Sequence, residues 1–160
     1  MSDETPKVYV IDTNTLIGFS IWNPIALNSH FWTKLEEALK EKRWILLDVV
    51  VEEIKYNKPL EDWCKKQKKD SLVTEITEND RNYAVEINNK YPMIDQTTFK
   101  STVDTYLISY AVNNKVAIFT REIQKTTEED LYKIPDVCGI LQVECTKKPQ
   151  DFLESIDFKN

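Results

Sequence analysis

Val8-Tyr9-Val10-Ile11 is an unbroken, mostly β-branched apolar run that stops on an acid, Asp12. A strand that is apolar on both faces must be covered on both faces. A parallel sheet sandwiched between helices meets that demand, and a sheet with one wet face does not. Trp44-Ile45-Leu46-Leu47 and Val116-Ala117-Ile118-Phe119 repeat the pattern, and Leu141-Gln142-Val143 reads as a short last strand.

Helical periodicity fills the intervals. Asp12-Thr13-Asn14-Thr15 supplies cap-forming residues, so a helix is expected close behind with Leu16 and Ile17. Ser20 to Ser29, with Pro24 and two asparagines, reads as irregular. Phe31, Leu35 and Leu39 form a stripe that predicts a helix over Phe31 to Lys42. Asp48 is a candidate N-cap for a helix that starts at Val50 and carries Glu52 and Glu53 in its first turn. Helices are also expected over Leu60 to Lys69, Ile76 to Tyr91 and Asp104 to Val112. Strands alternating with helices define an α/β class, three layers α/β/α around a central, mostly parallel sheet. With 160 residues and no linker, repeat or low-complexity tract, residues 1–160 read as a single domain.

Composition removes several functions. Two glycines, Gly18 and Gly139, cannot build a Gly-rich phosphate loop. Three cysteines, Cys64, Cys138 and Cys145, match no zinc spacing and suit free thiols in a reducing compartment. Met1 to Lys7 is polar and the apolar run after it is short, so neither a signal peptide nor a membrane span is expected, and the cytoplasm is the default. The net charge of −6 counts against nucleic-acid binding by bulk charge, unless the acids are clustered and neutralised by cations.

The acids do fall at informative places. Ligands of open α/β sheets bind at the carboxyl ends of the strands. Asp12 follows the first strand directly, and Glu122 follows the Val116–Phe119 strand closely. Asp104 lies on the apolar stripe of its helix, where an unpaired charge costs several kcal/mol. Each acid alone has a plain alternative as a helix cap or a dipole partner. Four at one edge would repel one another unless divalent cations fill the space, and oxygen ligands suit Mg2+ or Mn2+. The run Lys65-Lys66-Gln67-Lys68-Lys69 is the candidate contact for a phosphate backbone, with Trp63 and Tyr56 near it for stacking. A solvated helix end is its alternative reading. His30 reads as a surface or structural residue, and Trp22, Trp32 and Trp44 as core or interface.

In order along the chain, "VYVIDTNTLI", "DVVVEEI", "STVDTYLISYA" and "VAIFTRE" resemble the four acidic motifs of the PIN-domain family. "FW" at Phe31-Trp32, "LEDWC" and "KIPDVCGILQVEC" resemble a PIN-like subfamily more narrowly. The likeness spans residues 7 to 146. It implies a ribonuclease directed at single-stranded RNA or tRNA, using Mg2+ or Mn2+ held by Asp12, Glu53, Asp104 and Glu122. Asn14 and Thr120 would orient those carboxylates. Glu52 competes with Glu53 for the second position, and Glu122 stands where many relatives have Asp. The resemblance further implies a toxin held by an antitoxin protein, and a homodimer. A PIN-like scaffold used only for protein binding, and a structure-specific DNA nuclease, are the competing functions.

Overall fold

The computed structural model describes residues 7–98 and 102–158. The polar start up to Pro6, and Ser101 at the head of the third motif, lie outside those residues. Four strands, β1 (Tyr9–Ile11), β2 (Trp44–Ile45), β3 (Ala117–Phe119) and β4 (Cys145–Thr146), form a sheet in the order β2-β1-β3-β4. All three pairings are parallel. Tyr9 lies opposite both Trp44 and Ala117, and Ile11 opposite Phe119. The two central strands are buried along their whole length, as the continuous apolar runs require.

Helices flank this sheet, giving the three-layer α/β/α arrangement. They are α1 (Thr13–Trp22), α2 (Ser29–Lys40), α3 (Asp48–Glu53), α4 (Lys58–Lys69), α5 (Glu78–Lys90), α6 (Thr102–Asn114), α7 (Ile134–Leu141) and α8 (Pro149–Ser155). Local sequence sets their starts. Asn28 and Asn57 cap α2 and α4 through their side-chain oxygens, and Pro59 opens α4. Thr77 and Asp80 form a reciprocal capping box on α5. The Asp80 carboxylate also accepts from Asn113 at 2.7 Å, and the Ser109 hydroxyl donates to the Asp80 carbonyl at 2.6 Å, which ties α5 to α6. Burial pushes the Asp80 carboxyl up, but the hydrogen bonds from Asn113 and Thr77 outweigh it and hold the group low.

The structure departs from the sequence expectations in four places. First, α1 runs on through Trp22 into the stretch expected to be irregular, and Pro24 ends it because residues before proline avoid the helical region. Second, α3 begins at Asp48 itself, with Leu47 as its cap, and Glu53 is its last residue. Third, Leu141–Val143 is not a strand: Leu141 ends α7, Gln142 takes a left-handed conformation with φ 59°, and the strand follows at Cys145. Pro135 at the first turn and Asp136, which accepts the Lys133 N–H at 2.9 Å, make a helix start that outweighs the apolar run after it. Fourth, α8 was not anticipated.

That last helix matters to the core. Phe152 of α8 is fully buried. Its ring stacks on Phe119 at 5.3 Å and meets Trp44 edge-on at 5.8 Å and Tyr9 at 6.3 Å. Phe19 of α1 joins the same cluster at 5.9 Å. By the pleat, Tyr9, Ile11 and Phe119 present one face of the sheet, and Val10 and Ile118 the other. α6 packs against both β1 and β3. Among the described residues, no helix is long and apolar enough to cross a membrane.

Because Phe152 bridges three strands, Phe152→Ala should lower unfolding stability by about 3–5 kcal/mol. Urea denaturation followed by circular dichroism measures it, and a loss near zero would mean that α8 is not part of the cooperative core.

A candidate active site at the carboxyl edge of the sheet

β1 and β3 are hydrogen-bonded neighbours, so their carboxyl ends deliver Asp12 and the segment Thr120-Arg121-Glu122 side by side. Asp12 is only 4% exposed. It is the N-cap of α1, and its Oδ1 accepts the Thr15 N–H at 3.1 Å. Its Oδ2 accepts the Thr120 hydroxyl at 2.8 Å. The Thr120 hydroxyl oxygen in turn accepts the Glu122 N–H at 3.1 Å, and the Thr15 hydroxyl oxygen accepts the Arg121 N–H at 3.1 Å. The end of β3 is thereby laced to the first turn of α1 through two threonines. Thr15 and Arg121 escaped the sequence reading, although Thr15 stands three residues after an N-cap acid, where a cap partner belongs.

Electrostatics follow from that burial. Desolvation pushes the Asp12 carboxyl above its ordinary range, against the opposing pull of hydrogen bonds from Thr15 and Thr120. Glu122 is also pushed up by burial. The Ile134 N–H, which its Oε1 accepts at 3.0 Å, and the Lys133 ammonium draw it down, while the charges of Asp12 and Asp136 raise it. Asp12 and Glu122 therefore feel each other's charge, and among the described residues neither forms an ion pair. Two hard oxygen donors in a desolvated place fit a divalent cation such as Mg2+ or Mn2+.

The other expected ligands stand differently. Asp104 is half-buried in the first turn of α6. Since β3 starts just after α6 ends, that helix runs back along the sheet, and its first turn lies toward the carboxyl edge. Glu52 and Glu53 are exposed at the end of α3 rather than in its first turn. The cause is that α3 starts early and stops at Glu53: Asp48 takes the first-turn place, and its Oδ1 accepts from Val49 at 2.8 Å and from Ile76 at 3.3 Å. Among the described residues, no group of three or more His, Cys, Asp or Glu side chains is arranged to hold a metal ion. Asn14 is exposed on α1, and the hydrogen bonds to Asp12 come from Thr15 and Thr120. Thr13, buried beside Asp12, has a hydroxyl with no hydrogen-bond partner among the described residues.

A cleft of 640 Å³ opens on the Glu122 side, lined by Thr120, Glu122, Lys125, Cys138, Cys145 and Thr146. Of the basic run, Lys65, Lys68 and Lys69 are exposed, while Lys66 reaches Glu36 at 2.8 Å. Gln67, between them, is buried and donates to the same Glu36 oxygen at 2.8 Å. Trp63 packs edge-on against Trp32 at 5.1 Å, so its ring is partly committed to the protein, whereas Tyr56 is fully exposed. His30 is exposed, Trp32 and Trp44 are core residues, and Trp22 is 77% exposed.

A family model described as "Domain of unknown function (DUF4411)" matches residues 9–159, from the first strand through α8. No curated protein and no solved structure matches the chain.

The cap and charge roles of Asp12 separate by substitution. Asp12→Asn keeps a good N-cap, whereas Asp12→Ala loses it and should cost about 1 kcal/mol. The folded-state value of Asp12 is raised above the ordinary 3.8, so its stabilising contribution is complete below that pH and is lost as pH rises through the folded value. The melting temperature of the wild type relative to Asp12→Asn should therefore fall between acid and neutral pH. A difference that stays flat across that range would contradict the burial-driven shift.

Proposed function

We propose that this chain, which belongs to the DUF4411 family, is a divalent-metal-dependent endoribonuclease that hydrolyses phosphodiester bonds of single-stranded RNA or tRNA. The observation that carries the reading is the buried Asp12 at the end of β1, held by Thr120 from the adjacent strand and coupled in charge to Glu122. Strand-end carboxylates of this kind at the edge of a parallel sheet are where α/β folds do chemistry. The order of the PIN-like motifs supports the same assignment.

In this proposal, Asp12 and Glu122 hold the cation with Asp104, and Glu53 or its neighbour Glu52 joins from α3. Bound there, Mg2+ or Mn2+ would supply a hydrolytic water of lowered pKa and offset the charge that builds on the phosphate. The protein's own part is positional. Thr15 and Thr120 fix the orientation of the Asp12 carboxylate, and the Ile134 N–H aims Glu122. Burial keeps bulk water from Asp12, which strengthens its charge interactions, while Glu122 is half-buried and borders the open cleft. Lys65, Lys68 and Lys69 would take the RNA backbone, with Lys66 shared between RNA and Glu36. Exposed Ile21, Trp22 and Leu27 offer an apolar surface for an antitoxin protein or a second copy of the chain. Free thiols accord with a cytoplasmic setting.

A second reading, a protein-interaction module without catalysis, is favoured by one observation: no three-ligand metal group exists among the described residues. The two readings part on metal binding and turnover. Purified protein should cleave single-stranded RNA in Mn2+ or Mg2+, and Asp12→Asn should abolish cleavage while circular dichroism stays unchanged. Thr120→Val should lose about 10- to 100-fold in activity or metal affinity. Equal cleavage by Asp12→Asn and wild type would refute the nuclease assignment. The absence of both cleavage and Mn2+ stabilisation, with flap DNA and tRNA assayed alongside, would favour the module.

A further inference from the structure

Two of the three free cysteines are brought together by the end of α7. Gln142 turns left-handed, and the N–H groups of Gln142 and Val143 both bond to the Cys138 carbonyl, the second at 2.9 Å. The chain then doubles back into β4, where Cys145 pairs in register with Ile118. Cys138 and Cys145 both line the cleft that holds Glu122, and each is the largest influence on the other's thiol. Cys138 is 1% exposed, while Cys145 is half-buried and open to the cleft. Cys64 is different, buried in α4 among core residues, with its thiol pushed up to about 12 by desolvation.

From this geometry we propose that Cys138 and Cys145 are a covalent modification site: a dithiol that hydrogen peroxide entering the cleft oxidises to an intramolecular disulfide. In the first step the Cys145 sulfur attacks one peroxide oxygen. The O–O bond breaks, an S–O bond forms, and hydroxide leaves as water after taking the thiol proton. In the second step the Cys138 sulfur attacks the sulfenic sulfur of Cys145. The S–S bond forms, the S–O bond breaks, and a second water carries off the remaining proton. Overall the two thiols lose two protons and two electrons, and the peroxide is reduced to two waters. The roles follow from access: the cleft-facing sulfur meets the oxidant, and the buried one resolves it. The new bond would tie α7 to β4 one residue from Thr146, whose carbonyl accepts the Thr120 N–H at 3.0 Å. The inference stands whether or not the chain cuts RNA, because it is read on the thiols alone.

The test treats the folded full chain with dilute hydrogen peroxide, alkylates remaining thiols under denaturing conditions and maps tryptic peptides. Both cysteines fall in one peptide, Ile134–Lys147. That peptide should lose two hydrogen atoms and take up no alkylating agent, dithiothreitol should restore both thiols, and Cys64 should stay alkylatable. Closure should be about ten-fold or more faster in the folded protein than in urea, since the fold presents the pair. In Cys138→Ser, Cys145 should accumulate as a sulfenic acid trapped by a 1,3-diketone probe; if that variant fails to fold, the wild-type comparison decides alone. Two alkylatable thiols after treatment, oxidation of Cys145 to sulfinic acid beside an intact Cys138 thiol, or equal closure in urea would each overturn the proposal.

Discussion

The buried carboxylate of Asp12 joins the end of β1 and the start of α1 to the end of β3, a part of the chain distant in sequence. One oxygen caps the first turn of the helix that follows β1, and the other takes the hydroxyl of Thr120 at the end of β3. Leaving such a group in a desolvated place is unfavourable for its charged form, and its hydrogen bonds offset only part of that. The fold nevertheless keeps it there. A cap needs no more than an exposed Asn or Ser at the same point. Burial of an ionisable cap, next to a second acid, is therefore unfavourable for stability alone.

The parallel sheet makes that arrangement inevitable once the strands are in place. Adjacent parallel strands end at the same edge, so whatever follows Ile11 must meet whatever follows Phe119. The aromatic cluster around Phe152 fixes the register on one face, packing Tyr9, Trp44 and Phe119 together. Packing and chemistry are therefore coupled: a shift of β3 by one residue would turn Phe119 to the opposite face, away from Phe152, and pull the Thr120 hydroxyl away from Asp12.

Much of this was legible in the sequence because continuous apolar runs admit few burial schemes. The strands at Val8–Ile11, Trp44–Leu47 and Val116–Phe119, and the α/β class, follow from hydrophobic patterning. The misread elements are those where local chemistry competes with pattern. Leu141-Gln142-Val143 has the composition of a strand, yet Pro135 and Asp136 start a helix whose end falls on Leu141. Asp48 looks like a cap, but Leu47 takes that place and the helix starts one residue earlier than a cap at Asp48 allows. Because the helix also stops at Glu53, Glu52 and Glu53 fall in its last turn. α8 is short and amphipathic through one dominant residue, Phe152, so periodicity could not reveal it.

For the site, sequence spacing located Asp12, Thr120 and Glu122 because each is tied to a strand end, the most constrained point in the chain. Glu53 was placed by motif alone and lies on a six-residue helix. A short helix is held mainly by its neighbours, and α3 packs against α1, α4 and α6. Its last two residues, Glu52 and Glu53, are exposed. Asp12 and Glu122, by contrast, are fixed by hydrogen bonds. The strand ends thus hold a rigid pair of acids, while the placement of Glu52 and Glu53 depends on how α3 packs against its neighbours, which a motif does not record.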